Sequence, residues 1–399
     1  MTRGALVAHG RASCATLTGA RVARGATGSE CLDLTIRGRL LHFGSAAPAV
    51  NLEGYLVLPG LINAHDHLEF NLFPRLGRGP YPNATSWAAD IHRPGDSPVR
   101  EQLRVPKPVR LWWGGIKNLV AGVTSVLHHN PYQPEVFGPD FPVRVVERFG
   151  WAHSLRFSPD LAGRYAATPA DAPFLIHACE GSDAQARDEV YQLDAAGVLG
   201  VSTVLVHGVA LDAAGLALAR RRGVSLVWCP SANRFTLGQS LSHDVLKSGI
   251  PIALGTDSAM TGEGDLTDEL RVARRDADLA HLYRMVTTDA ARILRLQSGE
   301  GEIRDGGVAD VVVVADRGQS PAEALFDMQP ELVLIGGRIR LASEAMAGRL
   351  KAFPFQGFQA LRIEGRGRWL IDGDVPALAQ SVRDVLGDEF RLAGKRVAA

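Results

Sequence analysis

Between residues 15 and 57, apolar and polar positions alternate in short runs bounded by glycine: LTGARVA, CLDLTIRGRLLHFG and NLEGYLVLPG. A period of two broken by turn residues predicts a small sheet rather than helices. From about 58 to 300 the pattern changes to short apolar runs, each followed by a helical stretch. The predicted strands are GVTSVLHH, APFLIHA, STVLVHG, VSLVWC and PIALGT. The segments SDAQARDEVYQLDAAG and LDAAGLALARRRG between them have helical composition and glycine stops. Strand–helix alternation implies a parallel sheet covered by helices. After 300, GEIRDGGVADVVVVAD and PELVLIGGRIRLA return to short strands around glycine turns.

The expected architecture is therefore α/β. Residues 58–300 supply enough units for a (β/α)8 TIM-type barrel, although not all eight strands can be placed. Residues 1–57 and 301–350 are expected to meet in a small β-sandwich domain. Residues 351–399 form a C-terminal extension with one amphipathic helix, VPALAQSVRDVLGDEF, and no assigned role. There is no internal repeat.

At 399 residues the chain can bury a core without disulfide staples. Lys plus Arg equals Asp plus Glu at 43 each and no basic block is present, which removes the electrostatic case for nucleic acid or an anionic membrane as partner. The cysteines Cys14, Cys31, Cys179 and Cys229 show no C-x-x-C spacing and fit a reducing cytoplasm. Apolar runs such as VADVVVVAD fall far short of the ~20 residues of a membrane helix. The first 29 residues lack acids, as transit peptides do, yet most of that segment reads as strands.

The chemistry-bearing residues sit at predicted strand ends. In LPGLINAHDHLEF, His65 and His67 are two apart and project to one side of a strand. At the C-terminal end of a barrel strand that side faces the mouth, and imidazoles are good ligands for zinc or iron. An H-x-H alone also fits two ordinary strand histidines. In PFLIHACEG, His177 closes an apolar strand and Glu180 follows three residues on, so the backbone must leave the strand near Ala178–Cys179 if both are to face the mouth. The alternative is a core histidine followed by a helix cap near SDAQ. His207 closes STVLVHG, and Asp257 closes PIALGTDSA, where an aspartate also fits a helix N-cap. Four such elements, in order and in separate β/α units, point to a metal site.

These motifs, with GRLLHFG…LPGLINAHDH, WCPSANRFTLG and TTDAARILRL…GEIRDGGVADVVVV, resemble the amidohydrolase superfamily. The similarity is to its branch of cytosine-, guanine- and adenosine-type deaminases and triazine hydrolases, and it runs from about residue 15 to 345. It implies one divalent metal, zinc first and iron as the alternative, held by His65, His67, His177 and Asp257. Asp257 would also orient the attacking water, Glu180 would shuttle protons, and His207 would hydrogen-bond water or substrate. Lys117 lies in a helical segment, so no carboxylated bridging lysine is expected and the site is expected to be mononuclear. In the resemblance, His-x-x-Glu favours deamination of a cyclic C=N compound with release of ammonia. The alternatives are hydrolysis of a cyclic amide or of C–Cl or other C–N bonds on the same fold, or a non-catalytic scaffold. The cytidine-deaminase pattern of H-x-E with P-C-x-x-C is absent, as is a glycine-rich phosphate loop.

Weaker expectations surround the mouth. The loop FNLFPRLGRGPYPNATSWAADI would act as a lid with Phe70, Arg75 and Trp87 touching substrate, or simply pack at an edge. SVLHHN puts His128 and His129 at another strand end, where one of them, His128 first, would face the pocket, although a core or surface histidine is the commoner reading. Trp228, Ser231, Asn233 and Arg234, in WCPSANRF, complete the candidate pocket. The expected partner is a small-molecule substrate. A homodimer is compatible with the resemblance, but no interface can be read.

Overall fold

The computed structural model describes residues 14–46, 48–350, 355 and 357–398. Its centre is a set of eight parallel strands arranged in chain order. Leu61–Asp66, Val123–His128 and Arg144–Val145 form one ladder. Gly150–Ser154, Phe174–Ala178, Thr203–His207, Ser225–Trp228 and Ile252–Leu254 form the other. The last strand returns to the first through a parallel bridge between Asp66 and Asp257. No strand pairing joins Arg144–Val145 to Gly150–Ser154, so the ladder is open there and the barrel is not closed by hydrogen bonds.

The predicted helices follow their strands. Ala184–Ala195 starts on the Asp183 cap, and Ala213–Arg222 starts on the Asp212 cap and stops at Gly223 in the left-handed conformation. Lys107–Val120 presses directly on the turn after His67. A Cβ at Gly114 would stand 2.3 Å from the Leu68 carbonyl oxygen, so only glycine allows this approach.

The flanking segments build two further sheets. A four-stranded sheet is ordered Leu40–Phe43, Leu34–Arg37, Cys14–Thr18, Ala49–Asn51. A ten-stranded sheet joins the two ends of the chain, with Tyr55–Pro59 antiparallel to Val311–Ala315. The run VVVV is continuously apolar because both faces of this sheet are covered. Val311 and Val313 pack with Leu34 and Ile36, whereas Val312 and Val314 pack into the main core.

The C-terminal stretch, for which the sequence offered no role, extends this sheet through Phe358–Ile363 and Gly367–Asp372. Its helix Val375–Leu386 then packs on Lys107–Val120, and Trp113 meets Phe390 edge to face. No helix among the described residues is long and apolar enough to cross a membrane.

Candidate functional site

The strand Leu61–Asp66 is buried on both faces, and alternation sends its last residues opposite ways. Asp66 points into the fold. Its carboxylate takes Lys117 Nζ at 2.9 Å, Asn118 Nδ2 at 2.8 Å and Asn71 Nδ2 at 2.9 Å. Lys117 also donates to Thr256 Oγ1, tying the helix to the last strand. Lys117 is thus spent on a buried ion pair.

His65 and His67 face the other way. His177 Nε2 lies 3.3 Å from Nε2 of each of them. Asp257 Oδ1 lies 3.5 Å from His65 Nε2 and 3.6 Å from His67 Nε2. All four residues are buried. Asp257 is held by its backbone, since Thr256 and Asp257 both donate N–H to the His65 carbonyl. A Cβ at Gly255 would meet His65 Cβ at 2.7 Å, so the glycine before Thr256 permits this contact. Asp257 does not cap a helix: Thr261 Oγ1 donates to its Oδ2, and the next helix starts on Asp265.

Glu180 reaches the same mouth because the chain leaves the strand one residue after Ala178. Cys179 has φ of 55°, and the following helix is capped by Asp183 rather than Glu180. Glu180 Oε2 stands 3.5 Å from His207 Nε2. His207 has φ of 79°, and its Nδ1 donates to Asn233 Oδ1 at 2.7 Å. Cys179, His207 and Asp257 are three of six non-glycine residues with positive φ among those described, so backbone strain concentrates here.

Burial shapes the protonation states. It pulls His65 down to about 4, against the opposing hydrogen bond with Asp257, and pulls His177 and His129 well below the usual imidazole value. These rings are neutral near pH 7, as metal ligands must be. Burial pushes Glu180 up to about 7, although His207 opposes the shift. Asp257 goes the other way. Burial would raise it, but its hydrogen bond with His65 and the imidazoles of His207, His67 and His65 hold it far below the usual carboxylate range.

The other expected residues are distributed less simply. The Phe70 ring lies 6.1 Å from that of His67. Arg75 is exposed, donates to the Gly262 carbonyl and stacks over Phe235. Trp87 donates to the Leu76 carbonyl. The loop carrying them is fastened to three others, with Leu76 N–H on Met260, Tyr81 N–H on Thr236 and Ala84 N–H on Glu180. His128 faces away: its Nδ1 accepts from Leu68 N–H and its ring meets Phe137. Trp228 is a correction. It lies wholly in the core with its indole on Ser240, because the strand is buried on both faces and alternation packs Trp228 with Leu226 in the main core while Val227 packs in another cluster. Asn233 stands behind His207, Ser231 caps the buried Glu269, and Arg234 pairs with Asp276.

One histidine of a doublet was passed over for its neighbour, and a second histidine was missed. His129 joins His65, His67 and His177, one ring nitrogen of each lying within 4.8 Å of the others. Its signal was the doublet His128–His129, of which one member must face inward. His153 sits with its ring 4.9 Å from that of His177, on a strand whose sequence, GWAHS, has little apolar character.

The donor set fits a metal. His177 Nδ1 donates to the His153 carbonyl at 2.7 Å, which leaves Nε2 with its lone pair directed at two other imidazoles. With Nε2 of His65 and His67 each 3.3 Å away and the Asp257 carboxylate alongside, these atoms form the kind of nitrogen and oxygen donor set that a divalent cation takes.

A model of the amidohydrolase family matches residues 159–340. The amidohydrolase likeness extends to named deaminases. The chain is 26% identical over 326 residues to a 5-methylthioadenosine/S-adenosylhomocysteine deaminase of Syntrophobacter fumaroxidans, covering 67% of this chain and 74% of that one. A protein of the same name from Thermococcus kodakarensis is 31% identical over 140 residues, 32% of each chain. Among solved structures, an adenosine deaminase from Xanthomonas campestris with bound zinc superposes with a TM-score of 0.70, at 18% identity over 93% of this chain and 97% of that one. An atrazine chlorohydrolase from Arthrobacter aurescens complexed with zinc gives 0.65, at 17% identity over 85% and 100%. These structures share the α/β barrel-type fold.

Proposed function

We propose that the chain is a mononuclear metal-dependent hydrolase that deaminates a cyclic C=N compound of the purine, pyrimidine, pterin or triazine kind. The observation that carries this reading is Glu180, a half-buried carboxyl raised to about 7, placed 3.5 Å from His207 beside three converging imidazoles. The names of the relatives support deamination over the other leaving groups, while the likeness to the chlorohydrolase supports only the fold.

His65, His67, His177 and Asp257 would hold one divalent ion, zinc or iron. Bound there, such an ion lowers the pKa of water from about 16 toward 7 and polarises the substrate. The chain's own groups do the rest. Asp257 keeps its charge and can accept a proton at Oδ1. Glu180, poised near neutrality, can give a proton to the ring nitrogen and then assist departure of ammonia. His207, its Nδ1–H fixed on Asn233, presents Nε2 toward Glu180 and the reacting centre. The Phe70 ring and the fastened loop behind it shield the mouth.

The same reading takes residues 58–300 as the eightfold barrel unit, with a small β-sandwich from 1–57 and 301–350. The covered Val311–Ala315 strand supports that division. A cytoplasmic site of action accords with the buried free thiols Cys179 and Cys229. The test is ammonia release from a panel of purines, pyrimidines, pterins, triazines and modified nucleosides. Ammonia from one compound class supports the reading. Turnover that releases chloride, or that opens a ring without ammonia, overturns it.

A further inference from the structure

His129 is fully buried, one residue past the end of Val123–His128. Its Nε2 hydrogen-bonds to the Ala152 carbonyl at 3.1 Å, whereas its Nδ1 is buried without any partner. Leaving a buried polar atom unpaired is costly, so such an atom beside a polar cluster calls for a partner. The bond to Ala152 places the ring proton on Nε2 and leaves the lone pair on Nδ1.

His177 is anchored in the same way, through Nδ1 to the next carbonyl along, that of His153. The ladder shifts register between Ala152 and Ser154, the stretch that carries both carbonyls. Two imidazoles fastened to adjacent carbonyls, each with its other nitrogen free of any backbone partner, is the outer-shell pattern of metal-binding histidines. Their ring centroids lie 4.4 Å apart, and those of His129 and His65 lie 5.0 Å apart.

Distances permit the set. Imidazole nitrogens bind at about 2.0–2.1 Å, so ligands on opposite sides of one ion stand about 4.2 Å apart. A ligand set spread over 4.8 Å closes on one ion with shifts of a few tenths of an ångström.

We propose that His129, through Nδ1, is a fifth protein donor to the metal held by His65, His67, His177 and Asp257. This rests on the metal-dependent reading above. It gives the site four imidazoles, a nitrogen-rich set suited to zinc, iron or nickel.

The test uses the full chain stripped of metal and loaded with Co2+. Hyperfine-shifted proton resonances count the coordinated imidazoles in the unaltered protein, and four are expected. His129→Asn and His129→Ala should intensify the visible cobalt bands as the donor number falls. They should also speed metal loss to a chelator by more than the about 10–100-fold that follows loss of an outer-shell partner. Three imidazoles in the unaltered protein, with cobalt bands unmoved in both variants, overturn the proposal and leave the metal reading intact. A chain that takes up no Co2+ overturns the metal reading, and this inference with it.

Discussion

His207 donates its Nδ1–H to the side-chain oxygen of Asn233 at 2.7 Å, and both residues are buried. The amide therefore fixes which nitrogen of His207 carries the proton, and Nε2 faces Glu180. Outer-shell partners of this kind are worth about 10–100-fold in activity. Asn233→Leu should lower kcat/KM by that factor with metal content unchanged, and Asn233→Asp, which keeps an acceptor, should recover most of it. Equal losses in both variants would show that Asn233 acts only through packing.

Glu180→Gln should bind metal as the unaltered protein does and lose turnover by about 10²–10⁴-fold, the contribution of a positioned proton donor. Metal analysis and steady-state kinetics on one preparation check this. Full turnover with metal bound would remove Glu180 from the proton path.

Much of this site was legible beforehand. His65, His67, His177, His207 and Asp257 each close a strand, and parallel strands around one axis carry their C-terminal ends to one mouth. The turn-out at Cys179 was legible too, because Glu180 could not otherwise share that mouth. The rest turned on local geometry. Which of His128 and His129 faces inward depends on a register shift between Asn63 and Asp66 in the paired strand, which no composition encodes. Two strands, Arg144–Val145 and Gly150–Ser154, are too short or too polar to show a period. Trp228 was misplaced because the contents of the WCPSANRF turn do not reveal which side chain alternation buries.

The Asp66–Lys117 pair is buried on both sides and joins three elements. Removing one partner of such a pair leaves an uncompensated charge and costs about 3–5 kcal/mol. Lys117→Met should therefore destabilise the chain by about that amount in denaturant titration. Asp66→Asn combined with Lys117→Met should cost less than Lys117→Met alone. If the double variant is as unstable as the sum of the singles, the pair is not coupled.

Burial pushes the Glu269 carboxyl up to about 8, although Ser231 donates to it. An acid whose folded pKa exceeds its unfolded value of 4.5 holds a proton in the native state that the unfolded chain has released. Its contribution is fully present below about pH 4.5 and is lost as pH rises through about 8. The melting temperature should fall across this window, and Glu269→Gln should flatten that part of the profile. An identical profile for the variant would assign the slope to other groups.

The most direct test of the account is metal content and ammonia release measured on the same sample, before chelation, after it and after reloading. The account predicts about one divalent ion per chain, ammonia release that disappears when the ion is removed, and its return on reloading. Ammonia release that persists in metal-free protein, or a fully loaded protein that releases none from any cyclic C=N compound, would contradict it.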